Sequence, residues 1–239
     1  MDKPSIVIVG ASGGIGRYLM TSLSDYEVIG SYHFTNLYQS NWMEVYKERT
    51  GGKAPFLYQV DVTSPSDLES FADLIVTDRV VLVNAAGVNV NGVAHKYSED
   101  WWDAVVDTNL KGTFLACKAF LPRMREKKWG RIINLSSIVG QLGVKGTVAY
   151  SASKMGLLGL TRNLAVENAH LGITVNALAL GYFTVGMIDE VPTTAQQKLK
   201  QVIPMHRFGH PSNIDAAIRF LIGADYMTGA TININGGLL

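Results

Sequence analysis

The segment Ser5-Ile6-Val7-Ile8-Val9-Gly10-Ala11-Ser12-Gly13-Gly14-Ile15-Gly16 constrains this chain more than any other. A β-branched apolar run passes directly into a glycine-rich turn and then into a helical pattern. That order predicts a buried strand, a tight turn and a helix whose N-terminus opens toward a ligand. Gly10 would permit the sharp turn, Gly14 a close approach of backbone to a pyrophosphate, and Gly16 close packing of helix on sheet. The helix N-terminus adds unpaired N–H groups and the positive end of its dipole, both suited to an anion. An ordinary tight connection would use the same glycines, so the rest of the chain has to decide. Position 13 is also glycine, and two spacings therefore fit: Gly10-x-x-x-Gly14-x-Gly16 and Gly10-x-x-Gly13-x-x-Gly16.

Short apolar runs recur at Ile6–Val9, Val28–Ser31, Phe56–Val60, Val80–Asn84, Arg131–Leu135, Thr174–Ala179 and Ala230–Ile234. Several lack polar alternation, as strands buried on both faces do. Helical patterns lie between them at Gly14–Leu23, Asn36–Arg49, Pro65–Ile75, Trp101–Arg125, Tyr150–Asn168 and Pro211–Leu221. The alternation predicts an α/β fold: a doubly wound, parallel, seven-stranded sheet flanked by helices, in a single domain over residues 1–239. At 239 residues a core of real size is available without staples. The weakly patterned stretch Gly181–His210 precedes the last helix and strand and suits a mobile substrate flap, placed near residues 185–205.

Charge and cysteine content narrow the class. Twenty-one basic against 20 acidic residues leave a net charge of +1, without the basic excess of a general nucleic-acid binder. The single Cys117 excludes a disulfide framework and a cysteine-based zinc site, and five scattered histidines argue against any other metal centre. The apolar run after Met-Asp-Lys-Pro is only a strand long, too short for a secretory signal or a membrane span. The expected compartment is the cytoplasm.

The second informative segment is Tyr150-Ser151-Ala152-Ser153-Lys154, at the start of a helical pattern. Four residues of helix put Tyr150 and Lys154 on one face, about 6 Å apart along the axis. An ammonium beside a phenol makes the phenol easier to ionise, which suits a general acid/base for carbonyl–alcohol chemistry. Gly130-Arg131-Ile132-Ile133-Asn134-Leu135-Ser136-Ser137 is a strand that ends in two hydroxyls, and Asn84-Ala85-Ala86-Gly87 ends another. Ligands of open parallel sheets bind beyond such carboxyl ends. Asn109 stands inside a helical pattern where asparagine is a mediocre residue, which suggests a hydrogen-bonding duty.

In combination and order, these segments resemble the short-chain dehydrogenase/reductase family, from Ser5 to Gly237. The resemblance implies a Rossmann-type domain in which Tyr150 is the catalytic acid/base and Lys154 lowers its pKa and holds the nicotinamide ribose. It implies that Ser137 orients the substrate carbonyl and that Asn109 supports a water-mediated proton relay to Lys154. The glycine turn, Gly10, Ser12, Gly13, Gly14, Ile15 and Gly16, would cradle the pyrophosphate. Asp61 and Val62 would stand beside the adenine, and Asn84, Ala85 and Gly87 would shape the cofactor wall. Gly181 and Thr184 would meet the cofactor from the far side. The sequence departs from the family pattern at Val9, at Leu180-Gly181 and at Asn235, none of which is a catalytic position.

Within the family, Trp102–Phe114, Gly172–Ala177 and Arg207–Pro211 read most like 3-oxoacyl-[acyl-carrier-protein] reductases and polyketide ketoreductases. The implied substrate is a carrier-bound 3-oxoacyl thioester, and the implied partner an acyl carrier protein. Lys127 and Lys128 would supply charge near the site entrance, whereas Leu171 replaces another usual arginine. A reductase of a free alcohol, sugar or steroid ketone is the alternative, and a catalytically silent nucleotide sensor a more distant one. Position 32, where NAD-preferring relatives carry an acid, is Tyr32, and His33 falls where NADP-preferring relatives often carry arginine. NADPH is therefore the expected cofactor, with NAD possible and Ser31 and Thr35 as further hydroxyl contacts. The family's habit also implies a homo-oligomer, a tetramer or dimer.

Overall fold

The computed structural model describes residues 3–33 and 42–239. Seven strands form one sheet in the order β3-β2-β1-β4-β5-β6-β7, and every neighbouring pair is parallel. They are β1 (Ser5–Val9), β2 (Glu27–Tyr32), β3 (Phe56–Gln59), β4 (Val80–Asn84), β5 (Gly130–Ser137), β6 (Ile173–Leu180) and β7 (Thr231–Ile234). The helices are α1 (Gly14–Ser22), α2 (Trp42–Arg49), α3 (Pro65–Asp73), α4 (Glu99–Val106), α5 (Gly112–Lys127), α6 (Val148–Asn168), α7 (Thr193–Val202) and α8 (Ser212–Gly223).

Strands β1, β4, β5 and β6 are buried along their whole length. Their side chains alternate between faces with period two. Ile6, Ile8, Val81, Val83, Ile133 and Leu135 therefore pack against Leu19 and Met20 of α1 and Ile214 and Ile218 of α8. Val7, Val9, Leu82, Ile132 and Val175 turn the other way, onto Phe71 of α3, Phe120 of α5 and Leu164 of α6. Two apolar layers on one sheet leave no face for polar alternation, which explains the continuous apolar runs.

Three elements differ from the sequence pattern. The single helix expected over Trp101–Arg125 is divided: α4 passes through a π-helical turn, Asp107–Lys111, into α5. A π-turn takes in one extra residue and rotates its side chains off the regular face, and here it turns Asn109 wholly inward. The stretch expected as a flap carries a 3₁₀ turn at Met187–Glu190 and helix α7, with Ile188, Ile203 and Phe208 gathered into a small third cluster. Few of the residues of α7 are apolar, so its periodicity is faint. The helix expected over Asn36–Arg49 is present from Trp42; residues 36–41 and the candidate contact Thr35 lie outside the described residues. Among the described residues, no helix is long and apolar enough to cross a membrane, and no group of three or more His, Cys, Asp or Glu is placed to hold a metal ion.

A polar ladder crosses the second apolar layer. The Asn84 amide donates to Asn134 Oδ1 at 2.9 Å, and the Asn134 amide donates to Thr161 Oγ1 at 2.9 Å. Asn134 and Thr161 are fully buried. Replacing Thr161 by isosteric valine removes an acceptor that water cannot replace. Thr161→Val is expected to cost about 1–3 kcal/mol, read as a lower urea midpoint with an unchanged m-value.

Candidate active site

The sheet order places β1 beside β4, where the connections leave toward opposite edges and a crevice opens beyond the strand ends. Gly10 turns the chain there with φ +89°, and a Cβ at this position would lie 2.5 Å from the Ala86 nitrogen. Only glycine permits both the left-handed backbone and that contact. Ser31 fixes the turn from β2: its hydroxyl accepts from Gly10 N at 3.3 Å, and its carbonyl accepts from Ala11 N at 2.7 Å. Ser31, expected as a cofactor contact, thus braces the turn and also borders the cleft above it.

Helix α1 begins at Gly14 behind an N-cap, Gly13, that offers no side-chain capping bond. Its first-turn N–H groups are left for an anion. The space over Gly14, expected to admit a pyrophosphate, is bordered by the Gly186 backbone of the 185–205 segment. Gly16 was expected to let the helix approach the sheet, but its missing Cβ makes room for the Gly10 carbonyl and Ala11, so its work is within the turn itself.

A cleft of about 610 Å³ opens over this turn, within the range of small-molecule sites. Gly10, Ser12, Gly13, Tyr32, His33, Asp61, Val62, Ala85 and Gly87, all singled out in the sequence, line it. Ala86, Ala104 and Thr108 line it as well, though the sequence assigned none of them a role. Tyr32 and His33 stand at the end of β2, so no carboxylate occupies that strand end. Asp61 is held by Thr63, whose N–H and hydroxyl both donate to Asp61 Oδ1, at 2.8 and 2.7 Å. The other oxygen, Oδ2, lies 3.5 Å from His33 Nε2. The imidazole therefore has an acidic neighbour across the cleft. An uncapped helix start, a glycine cradle and flanking polar groups together fit a dinucleotide.

Beyond the Gly87 end of the cleft stand the four candidate catalytic residues. A Cβ on Gly87 would lie 3.3 Å from both Asn109 Oδ1 and Lys154 Nζ. Asn109 clamps the next residue by two bonds, accepting from Val88 N at 2.8 Å and donating to Val88 O at 2.9 Å. Its second amide hydrogen goes to Ser153 Oγ at 3.1 Å. Lys154 is buried and donates to Leu135 O at 2.9 Å, with its Nζ 5.7 Å from the centre of the Tyr150 ring. Ser137 accepts from Val139 N at 3.2 Å and reaches Leu180 O at 3.5 Å, and it is near enough to the Tyr150 phenol to lower its pKa. Its neighbour Ser136 points away and donates to Lys154 O.

The electrostatics differ from the sequence expectation. Burial pushes the Tyr150 phenol above its ordinary value; Ser137 pulls it back, and the nearby Tyr182 phenol pushes it further up. Burial also weakens the Lys154 ammonium, bringing its pKa from 10.5 down to about 8. The ammonium is committed to Leu135 O, and removing the phenolate from water costs more than its neighbours return.

Other expected positions fall elsewhere. Asn84 lies in the polar ladder beneath the sheet end and does not form the cleft wall, which Ala85, Ala86 and Gly87 make; its Oδ1 is buried without a hydrogen-bond partner among the described residues. Gly181 is held by β7, donating to Ile234 O at 2.9 Å, and a Cβ there would meet Asn235 Cα at 2.7 Å. Thr184 is exposed and its N–H donates to Gly209 O. Lys127 and Lys128 do not border the entrance within one chain. They precede the first residue of β5, whereas Ser137 ends it, about 23 Å away for eight or so extended residues. Lys127 is also ion-paired to Asp78 at 3.1 Å and Glu126 at 3.4 Å.

A doubly wound nucleotide-binding fold with a serine–tyrosine–lysine face beside its cleft defines a class of oxidoreductases. The comparisons give the family. The short chain dehydrogenase model matches residues 4–196, and the chain belongs to that family of oxidoreductases. It is 36% identical to the 3-oxoacyl-[acyl-carrier-protein] reductase FabG of Staphylococcus aureus, over 98% of this chain and 97% of that one. It is also 36% identical to Nodulation protein G of Azospirillum brasilense, over the whole chain and 99% of the relative. Among solved structures, ElxO with NADP bound aligns with a TM-score of 0.90 at 26% identity, covering 99% of both chains. A variant of actinorhodin polyketide ketoreductase with NADPH aligns with a TM-score of 0.88 at 30% identity, covering 99% of this chain and 97% of that one.

The buried lysine makes stability depend on pH. The unfolded chain holds the Lys154 proton up to about pH 10.5, and the folded chain releases it near 8. Between those values the unfolded state binds more protons, so the Lys154 contribution becomes more favourable as pH rises. Below pH 8 the cost of burying the charge is fully present. Urea denaturation without dinucleotide is expected to show wild type gaining on Lys154→Met from pH 8 to 10.5, with a constant difference from pH 6 to 7.5.

Proposed function

We propose that this chain reduces the ketone of a 3-oxoacyl thioester, in the expected case carried on an acyl carrier protein, to a hydroxyl with NADPH. The observation that carries the reading is the buried Lys154 ammonium beside the Tyr150 ring, 5.7 Å from its centre, joined to the dinucleotide cleft through Gly87, with Ser137 at the adjoining strand end. The FabG relative and the ketoreductase and ElxO structures support it by similarity.

The residues divide the work. When bound, the nicotinamide supplies the hydride. The turn at Gly10, Ser12, Gly13, Gly14, Ile15 and Gly16 holds the pyrophosphate, with the free N–H groups of α1 as donors. Asp61 and Val62 border the adenosine, and Ala85 and Gly87 form the wall toward the nicotinamide. Lys154 holds the ribose, and Gly181 and Thr184 approach from the β6 side. Ser137 donates to the substrate carbonyl oxygen, and the Tyr150 hydroxyl delivers the proton to that oxygen as it becomes an alkoxide. Burial keeps the Tyr150 phenol protonated at neutral pH, the state a proton donor needs. Both amide hydrogens of Asn109 are committed to Val88 and Ser153, so its side chain acts as a positioning clamp, and its part in a water-mediated relay to Lys154 would be to hold the water by an oxygen lone pair.

The cofactor choice rests on the end of β2. Tyr32 presents no carboxylate to repel a 2′-phosphate, and His33 can face that phosphate across from Asp61. The preference is modest, because Asp61 competes for the imidazole. A cytoplasmic place and a homo-oligomer belong to the same proposal.

A second reading, reduction of a free ketone, draws on one observation. Lys127 and Lys128 stand at the sheet edge opposite the site, with Lys127 already paired, so within one chain they offer no docking charge at the entrance. Cofactor oxidation with a carrier-linked 3-oxoacyl group, a small β-keto thioester and free ketones separates the readings. Higher kcat/KM on the carrier-linked form supports the first; equal values support the second.

Tyr150→Phe is expected to lower kcat by about 10²- to 10⁴-fold with little change in dinucleotide affinity. Near-normal turnover in that variant would remove Tyr150 from the mechanism. Wild-type kcat/KM is expected to be higher with NADPH than with NADH, and Tyr32→Asp to shift the ratio toward NADH. A wild-type ratio favouring NADH would sink the cofactor assignment.

A further inference from the structure

The chain that leaves Gly87 runs from the dinucleotide cleft to the start of the helix that carries Tyr150. Its near end is fixed at Val88, which borders the cleft and is clamped by Asn109. Its far end is fixed at Gly92. The Gly92 N–H donates to Gly146 O at 2.9 Å, and Gly92 pairs with Thr147 in an isolated parallel bridge. Thr147 is the N-cap of α6; its carbonyl accepts from Ser151 N at 2.7 Å, and its hydroxyl lies 3.0 Å from that of Ser151. Ser151 in turn donates to Val139 O at 3.0 Å, two residues past Ser137. Residues 88–92 thus form a strap between the cofactor wall and the helical turn that holds Tyr150.

One side chain closes over the middle of this strap. A short 3₁₀ turn, Ala94–Lys96, reverses the chain and brings Tyr97 back across it. The Tyr97 hydroxyl donates to Val90 O at 2.8 Å, midway between the two fixed ends. Its ring lies on Gly92, where a Cβ would meet Tyr97 Cδ2 at 2.8 Å. The ring also packs edge-on against Trp101 of α4, centroids 5.7 Å apart. Ser98, the next residue, caps α4 by accepting from Trp101 N at 3.2 Å, so the tyrosine is rooted at a helix start. A strap without a strand ladder of its own keeps its shape through such single bonds.

We propose that Tyr97 is a positioning residue for ketone reduction: its hydroxyl holds the 88–92 strap in the form that sets the first turn of α6, and with it Tyr150, against the substrate carbonyl. The proposal rests on the ketone-reductase reading above and adds to it a residue outside the reacting groups. Proton delivery is sensitive to placement, and a shift of about 1 Å can cost as much as about 100-fold in rate. Dinucleotide binding draws on the near end of the strap, which Asn109 holds by separate bonds. Loss of the Tyr97 hydroxyl therefore separates kcat from cofactor affinity.

The test compares wild type with Tyr97→Phe, which keeps the ring on Gly92 and Trp101. Turnover is measured with a small β-keto thioester and NADPH, both saturating. NADPH affinity is measured by fluorescence titration, and the folded fraction at assay temperature by urea denaturation. The expected result is a kcat per folded molecule lower by about 3- to 10-fold, the scale of one hydrogen bond, with the NADPH Kd unchanged. Gly92→Ala, whose methyl group displaces the Tyr97 ring, is expected to lower kcat as well. The double variant should lose less than the product of the two, because both act through one contact. An unchanged kcat per folded molecule overturns the proposal, since a purely structural tyrosine would move only the urea midpoint. Equal losses in kcat and NADPH affinity, or a fully multiplicative double variant, overturn it too and leave the reductase reading intact. Wild type that turns over neither the β-keto thioester nor a free ketone overturns both.

Discussion

Two hydrogen bonds between the Asn109 amide and the Val88 main chain hold the working parts of this molecule in register. They fasten the loop after β4, which walls the cleft, to the π-turn that joins α4 and α5. The same amide reaches Ser153 on α6, between Tyr150 and Lys154. One side chain thus links the dinucleotide cleft, the π-turn between α4 and α5, and the helix that carries Tyr150 and Lys154. Asn109 is fully buried, so each bond lies in a low-dielectric setting where an unpaired amide would be costly.

That setting also governs the chemistry. Lys154 and Tyr150 are near each other, but both are desolvated, and desolvation favours the neutral form of each. The tyrosine stays protonated, and the lysine is about half-charged near pH 8. Among the described residues, Ser137 is the group that works against burial, lowering the pKa of the phenol. In the proposed reaction, a protonated tyrosine with a polar neighbour gives its proton to an oxygen that gains negative charge. Hydride addition to a ketone creates such an oxygen.

The frame that carries these groups follows from backbone geometry. Gly10 makes a left-handed turn against Ala86, and Ser31 braces it from the adjoining strand. The crevice between β1 and β4 exists because crossovers leave in opposite directions at that point. Below it, the ladder Asn84–Asn134–Thr161 ties β4, β5 and α6 together. The site therefore stands on strand ends fixed by both hydrogen bonding and apolar packing.

The seven strands, the glycine turn and the Tyr150–Lys154 spacing were all legible along the chain, because each depends on local periodicity, backbone freedom or helix geometry. Ser137 was legible as well, since a hydroxyl at the carboxyl end of a buried strand has few other places to go. What pairs with what was not. The sequence showed His33 as a lone imidazole, and only the fold brings Asp61 to it from the end of another strand. It showed Asn84 as a wall residue, whereas strand pairing turns its side chain under the sheet toward Asn134. Lys127 and Lys128 read as entrance charges, and the direction of β5 puts them at the opposite edge. The sign of the Tyr150 shift was hidden for the same reason: helical spacing sets how near an ammonium is, but desolvation depends on everything packed around the pair. Local sequence determined which elements form and which groups they carry; the packing of distant segments decided which of those groups face one another and how strongly water is excluded from them.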